Sequence, residues 1–309
     1  MNNDRIQEIL DLMEEARLDY FLISDPQSIA YCTGYYNDPH ERMFVFMISK
    51  HGNHTLFMND LFYLDHDLDV NIVWHKDGQD AIQTIVDEMH FPGRIGIDKN
   101  WASHFLLDLM KKLPDAKYIN ASPCVDLVRM KKDLQEQVLM IESSKINDAV
   151  MEEIIPFIQE GVTEKQLAKK LDELFFNHHS TCYGAIVAFG KNAADPHHEN
   201  DDTLLRKGDC VLIDMGCVYK GYCSDMTRTF FYEGILEEEI KVYEIVKKAN
   251  EAAEAMIKPG VKLSDIDKCA RKVISDEGYG KYFTHRLGHF IGRDVHEYGD
   301  VLSLIHISE

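Results

Sequence analysis

Between Val211 and Arg228 the chain reads VLIDMGCVYKGYCSDMTR, and this stretch limits the possible architecture more than any other. Val211 to Ile213 is a short apolar run typical of a buried strand, Lys220-Gly221 is a turn signal, and Tyr222 to Phe231 is rich in β-formers. A β-hairpin is predicted. Side chains on a strand alternate faces, so Asp214 and Asp225, near the ends of paired strands, can point their carboxylates at one cavity. An aspartate directly after an apolar strand sits at the edge of a core, where a carboxylate is costly unless it is paired or metal-bound. A hard or borderline cation would satisfy both groups. The plainer reading makes Asp214 a turn residue before Gly216 and Asp225 a solvated loop acid, and the stretch alone leaves both readings open.

A chain of 309 residues predicts about two domains, because single cores stop growing beyond roughly 250 residues. The formal net charge of −20 argues against nucleic-acid and anionic-membrane partners, both of which need a basic face. The seven cysteines (32, 124, 182, 210, 217, 223 and 269) are scattered and form no C-x-x-C pair, which points to reduced thiols rather than a disulfide framework or a zinc knuckle. The polar N-terminus from Asn2 to Gln7 carries no signal-peptide pattern, and no apolar run reaches the roughly 18 residues of a membrane span. A soluble, cytoplasmic protein without a membrane partner is expected.

Taken in order, Asp4 to Arg17 places Ile6, Ile9, Leu10, Met13 and Ala16 at helical spacing, Tyr20 to Ile23 reads as a strand, and Asp25-Pro26 reads as a break. Further strands are predicted at Met43 to Ile48, His54 to Met58, Val70 to Trp74, Arg94 to Ile97 and Lys117 to Asn120, with helices at Gln79 to Met89 and Trp101 to Lys112. This alternation describes an α/β domain over residues 1–128. His51 and Asp65-His66-Asp67 read as surface polarity beside loops and are assigned no chemistry. At Arg129 to Asp133 the texture changes, and a second domain is predicted over residues 129–301, opening with a long helical pattern from Val138 through Ile155 to Gly161. Thr163 with Gln166 forms a capping box for a helix ending near Asn177, and Ala185 to Phe189 is a strand. Past the hairpin, Glu237 to Ile257 and Ser264 to Glu277 are amphipathic helices, the second with a serine cap.

The loop GKNAADPHHEND after Phe189 carries His197 and His198, which read either as solvated imidazoles or as substrate-binding groups. Near the end, HRLGHFIGRDVHE interleaves His285, His289 and His296 with Gly288 and Gly292, glycines that permit close backbone approach around a site. The spacing is not H-E-x-x-H, which excludes a helix-borne zincin site.

The ordered set DMG from Asp214, SDMTRT around Asp225 and GHFIGRDVHE around His289 resembles the pita-bread metallopeptidases, in particular the aminopeptidase P and prolidase branch. The resemblance extends over residues 1–301, since the first domain looks like the small creatinase-type domain of that branch. It implies an α/β (α+β) chain in which a creatinase-type domain precedes a pita-bread catalytic domain. It also implies two divalent metal ions, manganese foremost and cobalt or zinc as alternatives, with Asp214 on one metal, Asp225 bridging and His289 on the second. His197, His285 and His296 would line the site of a peptide substrate, and Arg228 would support it from behind. The reaction implied is hydrolysis of an Xaa-Pro bond, in dipeptides or at the N-terminus of peptides, by a homodimer. A creatinase-like, metal-free C–N hydrolase and a non-catalytic binding module are the alternatives on such a scaffold.

The resemblance also implies two glutamate ligands beyond His296, and the sequence ends at Glu309. Glu297 belongs to the His296-Glu297 motif and Glu309 is terminal, so neither is expected to replace them. Residues 302–309, LSLIHISE, resemble a translated sequencing-library adapter, so a C-terminally truncated catalytic domain is expected, with metal affinity and hydrolysis severely reduced and this chain inactive.

Overall fold

In β1 (Tyr20–Ile23) every residue is buried, because the strand lies at the centre of a sheet covered on both sides. Phe21 and Ile23 face one apolar cluster, Tyr20 and Leu22 the other. The molecule, a computed structural model, is described at residues 1–90, 92–302 and 307. It divides into two compact units, Met1–Lys131 and Lys132–Glu309.

The first unit runs α1 (Asn3–Glu15), β1, α2 (Pro26–Thr33), β2 (Val45–Ser49), β3 (Thr55–Asn59), β4 (Asn71–His75), α3 (Ala81–Glu88), β5 (Arg94–Ile97), α4 (Ser103–Lys112), β6 (Lys117–Asn120) and α5 (Ser122–Met130). Its six strands form one mixed sheet in the order β4-β3-β2-β1-β5-β6. Ile6, Ile9 and Met13 of α1 pack on one face with residues of α2 and α5, while Ile82 and Ile85 of α3 and Leu109 of α4 pack on the other. The break expected at Asp25-Pro26 is a helix start. The Asp25 carboxylate accepts from Ser28 N, and Pro26 occupies the first turn, where its missing N–H costs nothing. Helix α5, for which no expectation stood, begins the same way with Pro123 in its first turn.

In the second unit α6 (Leu134–Ile154) is capped by Asp133 and Glu136, and α7 (Glu164–Asn177) carries the expected Thr163–Gln166 box. The α6 pattern misleads as to its face. Val138 and Ile141 are exposed, whereas Ser143, Asn147, Val150 and Ile154 are buried at helical spacing. Then follow β7 (Thr181–Cys182), β8 (Ile186–Phe189), β9 (Cys210–Met215), β10 (Cys217–Tyr219), β11 (Tyr222–Cys223), β12 (Met226–Phe231), α8 (Glu237–Glu254), α9 (Leu263–Asp276), β13 (His289–Phe290) and β14 (Glu297–Asp300). Helix α9 begins one residue earlier than expected, after Lys262, and Ser264 lies inside its first turn, so the serine cap is not formed.

The predicted hairpin is present but interrupted. Its base, β9 with β12, belongs to a sheet ordered β12-β9-β8, and its tip, β10 with β11, to a sheet ordered β11-β10-β7. Lys220 and Gly221 both have positive φ, 48° and 82°, as a two-residue hairpin turn demands. The interruption falls at Gly216, where a Cβ would lie 1.8 Å from the Tyr183 hydroxyl and 2.1 Å from the Ser224 carbonyl oxygen. Only glycine allows the strands to cross there. Val211, Ile213 and Met215 of β9 enter a core with Leu167, Leu171 and Phe175 of α7, which holds the strand end rigid beneath the site. Among the described residues no helix is long and apolar enough to cross a membrane.

Candidate functional site

Asp214 pairs in register with Thr227 across β9 and β12, so the two share a face, and the Thr227 hydroxyl donates to Asp214 Oδ1 at 2.7 Å. Asp225 lies just before β12, near enough for its charge to act on Asp214. The hairpin therefore delivers both carboxylates together. Burial pushes the Asp214 carboxyl above the usual carboxylate range; the Thr227 hydrogen bond opposes this, and the Asp225 charge adds to it. Among the described residues no lysine or arginine is paired with either aspartate. Two carboxylates this close disfavour each other's charged form.

His289 arrives from β13. Its Nε2 lies 3.3 Å from Asp225 Oδ2, and its Nδ1 is 3.1 Å from the Phe290 carbonyl oxygen. A carbonyl only accepts, so Nδ1 carries the proton and donates, which leaves Nε2 as the ligand atom in the neutral ring. The hydrogen bond with Asp225 raises the imidazole pKa, against burial. His296 stacks obliquely on His289 with ring centroids 4.3 Å apart. Burial lowers its pKa, and the neighbouring His289 and Arg286 charges lower it further. His285 is exposed, with Nδ1 2.7 Å from the Arg286 carbonyl oxygen, and is near enough for its charge to act on His296. The expected residues Asp214, Asp225, His289, His296 and His285 thus surround one face.

Two expected residues make no polar contact with this group among the described residues. His197 is exposed; its backbone N–H donates to Asp195 Oδ1 at 3.0 Å, and no hydrogen bond or ion pair joins its ring to the aspartates. The Arg228 guanidinium donates to the Thr227 carbonyl and reaches neither carboxylate. Glu297 is fixed by Lys132 at 2.8 Å and accepts from Arg293 N–H at 2.9 Å. Glu309 and most of residues 302–309 lie outside the described residues.

The residues on this face that sequence reasoning passed over are Tyr183 and Thr227. The Tyr183 hydroxyl donates to the Ser224 carbonyl at 2.7 Å, and burial, followed by the Asp225 charge, drives its pKa above the usual phenol value. No spacing rule links Tyr183 to a carboxylate over 40 positions away. Thr227 was visible as a strand residue, but only the register identifies it as the partner of Asp214.

Among the described residues the one acid–histidine trio whose ligand atoms all lie within 4.8 Å is a different one: Glu164, His198 and Asp201. Asp214, Asp225 and His289 do not form so tight a group.

Known proteins match this arrangement. Residues 138–306 match the model for metallopeptidase family M24. The chain belongs to that family. Residues 5–131 match the Creatinase/Prolidase N-terminal domain, so this family M24 chain has a creatinase-type domain followed by a pita-bread domain. An uncharacterised peptidase of Staphylococcus aureus is 32% identical over 308 residues, spanning 97% of this chain and 86% of its own. A dipeptidase structure from Pyrococcus horikoshii is 35% identical, with a TM-score of 0.88 over 96% of this chain and 85% of its own. A prolidase structure from Thermococcus sibiricus is 30% identical, with a TM-score of 0.92 over 99% and 86%.

Proposed function

We propose that this family M24 chain hydrolyses the bond between an N-terminal residue and a following proline, in dipeptides or at the start of peptides, using two divalent metal ions. The observation that carries the reading is the pair of aspartates that the hairpin brings together, with His289 Nε2 3.3 Å from Asp225 Oδ2 and, among the described residues, no lysine or arginine paired to either. In this reading Asp214, Asp225 and His289 are the residues that would hold the metals. The donors are rich in carboxylate oxygen, which favours manganese over softer ions. Metals held there would lower the pKa of water and offset negative charge developing at the scissile carbonyl.

The protein's own contribution is orientation. Thr227 fixes the Asp214 carboxylate, and the Phe290 carbonyl fixes the His289 tautomer. His296, with its lowered pKa, stays neutral near pH 7 and can exchange a proton with the peptide at the scissile bond, while His285 and His197 contact the substrate backbone. The charge of −20 and the free thiols support a cytoplasmic enzyme without nucleic-acid partners, and the family resemblance supports a homodimer.

A peptide panel tests the specificity. With manganese present, Xaa-Pro dipeptides or Xaa-Pro-Xaa tripeptides are expected to be cleaved at least about tenfold faster, in kcat/KM, than the matching Xaa-Ala peptides, the discrimination that about 1.4 kcal/mol provides. Equal rates on both series would remove proline from the account.

A further inference from the structure

Glu164 opens α7, yet it is fully buried, and its carboxylate is shared among four donors. Oε1 accepts from Phe189 N–H at 2.8 Å and from the Asn192 amide at 2.9 Å. Oε2 accepts from His198 Nε2–H at 2.6 Å and from Asp201 N–H at 3.0 Å. A carboxylate offers about four lone-pair directions, and these donors fill them. The Glu164–His198–Asp201 trio therefore reads as a hydrogen-bonded clamp centred on a Glu164 carboxylate whose acceptor directions are filled.

The clamp grips the end of β8 and then the loop after it at residues 192, 198 and 201, on both sides of His197. Asn200 adds two bonds of its own, donating to the Ala185 carbonyl at 2.7 Å and accepting from Val187 N–H at 2.7 Å. His197 itself is held only through its backbone, next to a His198 that is almost wholly buried. We infer that Glu164 and His198 are positioning residues, which set where the exposed His197 imidazole stands over the peptide substrate. The inference rests on the proposed reading of His197 as a substrate contact. Charge-assisted bonds to a buried carboxylate are short and directional, so loss of one arm lets the loop shift. A misplacement of about 1 Å can cost on the order of a hundredfold in rate.

The test is a double-mutant cycle in the metal-loaded protein, read as kcat and KM on the best Xaa-Pro peptide, with thermal melting and metal content on the same samples. His198→Ala, which leaves the helix and Glu164 intact, is expected to lower kcat at least about tenfold with metal content unchanged. His198→Gln, which keeps an N–H donor for Glu164, should restore most of that loss. Glu164→Gln serves as the second entry into the clamp should the alanine variant fail to fold. In a His197→Ala background the His198→Ala loss should vanish, because the clamp then has nothing to position. Hydrolysis by the unaltered protein combined with a His198→Ala loss of the same size in both backgrounds, or with no loss, would overturn the inference alone. Absence of hydrolysis by the unaltered protein would overturn the functional reading and the inference together.

Discussion

Asp225→Ala is expected to eliminate peptide hydrolysis, with a loss in kcat/KM beyond the roughly 10- to 100-fold that follows removal of a metal ligand's outer partners. The reason is its position: Asp225 acts on Asp214 through its charge and lies 3.3 Å from His289 Nε2, so in the proposed site it stands between the other two groups. The side chain is about 30% exposed, and its truncation leaves no core cavity. The variant should therefore melt within a few degrees of the parent when both are metal-free. Metal content and kcat/KM measured on one preparation check this, and a variant that keeps both would remove Asp225 from the site.

Metal binding is expected to release protons and to weaken steeply in acid. His289 must present Nε2 without a proton, yet its hydrogen bond with Asp225 raises the pKa of the metal-free imidazole. Asp214, raised by burial, retains its own proton to higher pH than an ordinary carboxyl. Protons and metal thus compete for the same atoms. Affinity should be flat above the raised His289 value and fall by up to about tenfold per pH unit below it for that one proton. The stability of the metal-free fold runs the other way. The protonated His289–Asp225 pair contributes fully below the ordinary imidazole value of 6.5, and the contribution is lost as pH rises through the raised one. Titration calorimetry at pH 6 and pH 8, in buffers of different ionisation enthalpy, measures the released protons. About one more at pH 6 than at pH 8 is expected, and equal release would refute the linkage.

The parts legible in the sequence are those written in short-range periodicity. Asp214 and Asp225 flank a turn that Lys220-Gly221 announces, and the hairpin brings them together. Arg94–Ile97 and Lys117–Asn120 form strands at the bounds read from their composition. Helix α2 was obscured because proline both breaks and begins helices, and only the Asp25 cap decides between the two. Val138 and Ile141 pointed to the wrong face of α6, since the buried face carries Ser143 and Asn147, whose polarity hides its periodicity. Glu164 carries no signal in the sequence, where it is simply an acid in the first turn of α7. Its four bonds to a loop some 25 to 37 positions away arise only from the packing of α7 against β8. Tyr183 and Gly216 are coupled in the same way, by a close approach that leaves no pattern along the chain.

Hydrolysis of an Xaa-Pro peptide as a function of bound metal tests the central claim most directly. The purified protein, stripped with a chelator and titrated with manganese, is expected to be inactive when metal-free and to gain activity in proportion to metal bound, reaching its maximum at two ions per chain. Full activity in the stripped protein, or a maximum reached with no metal bound, would contradict the account.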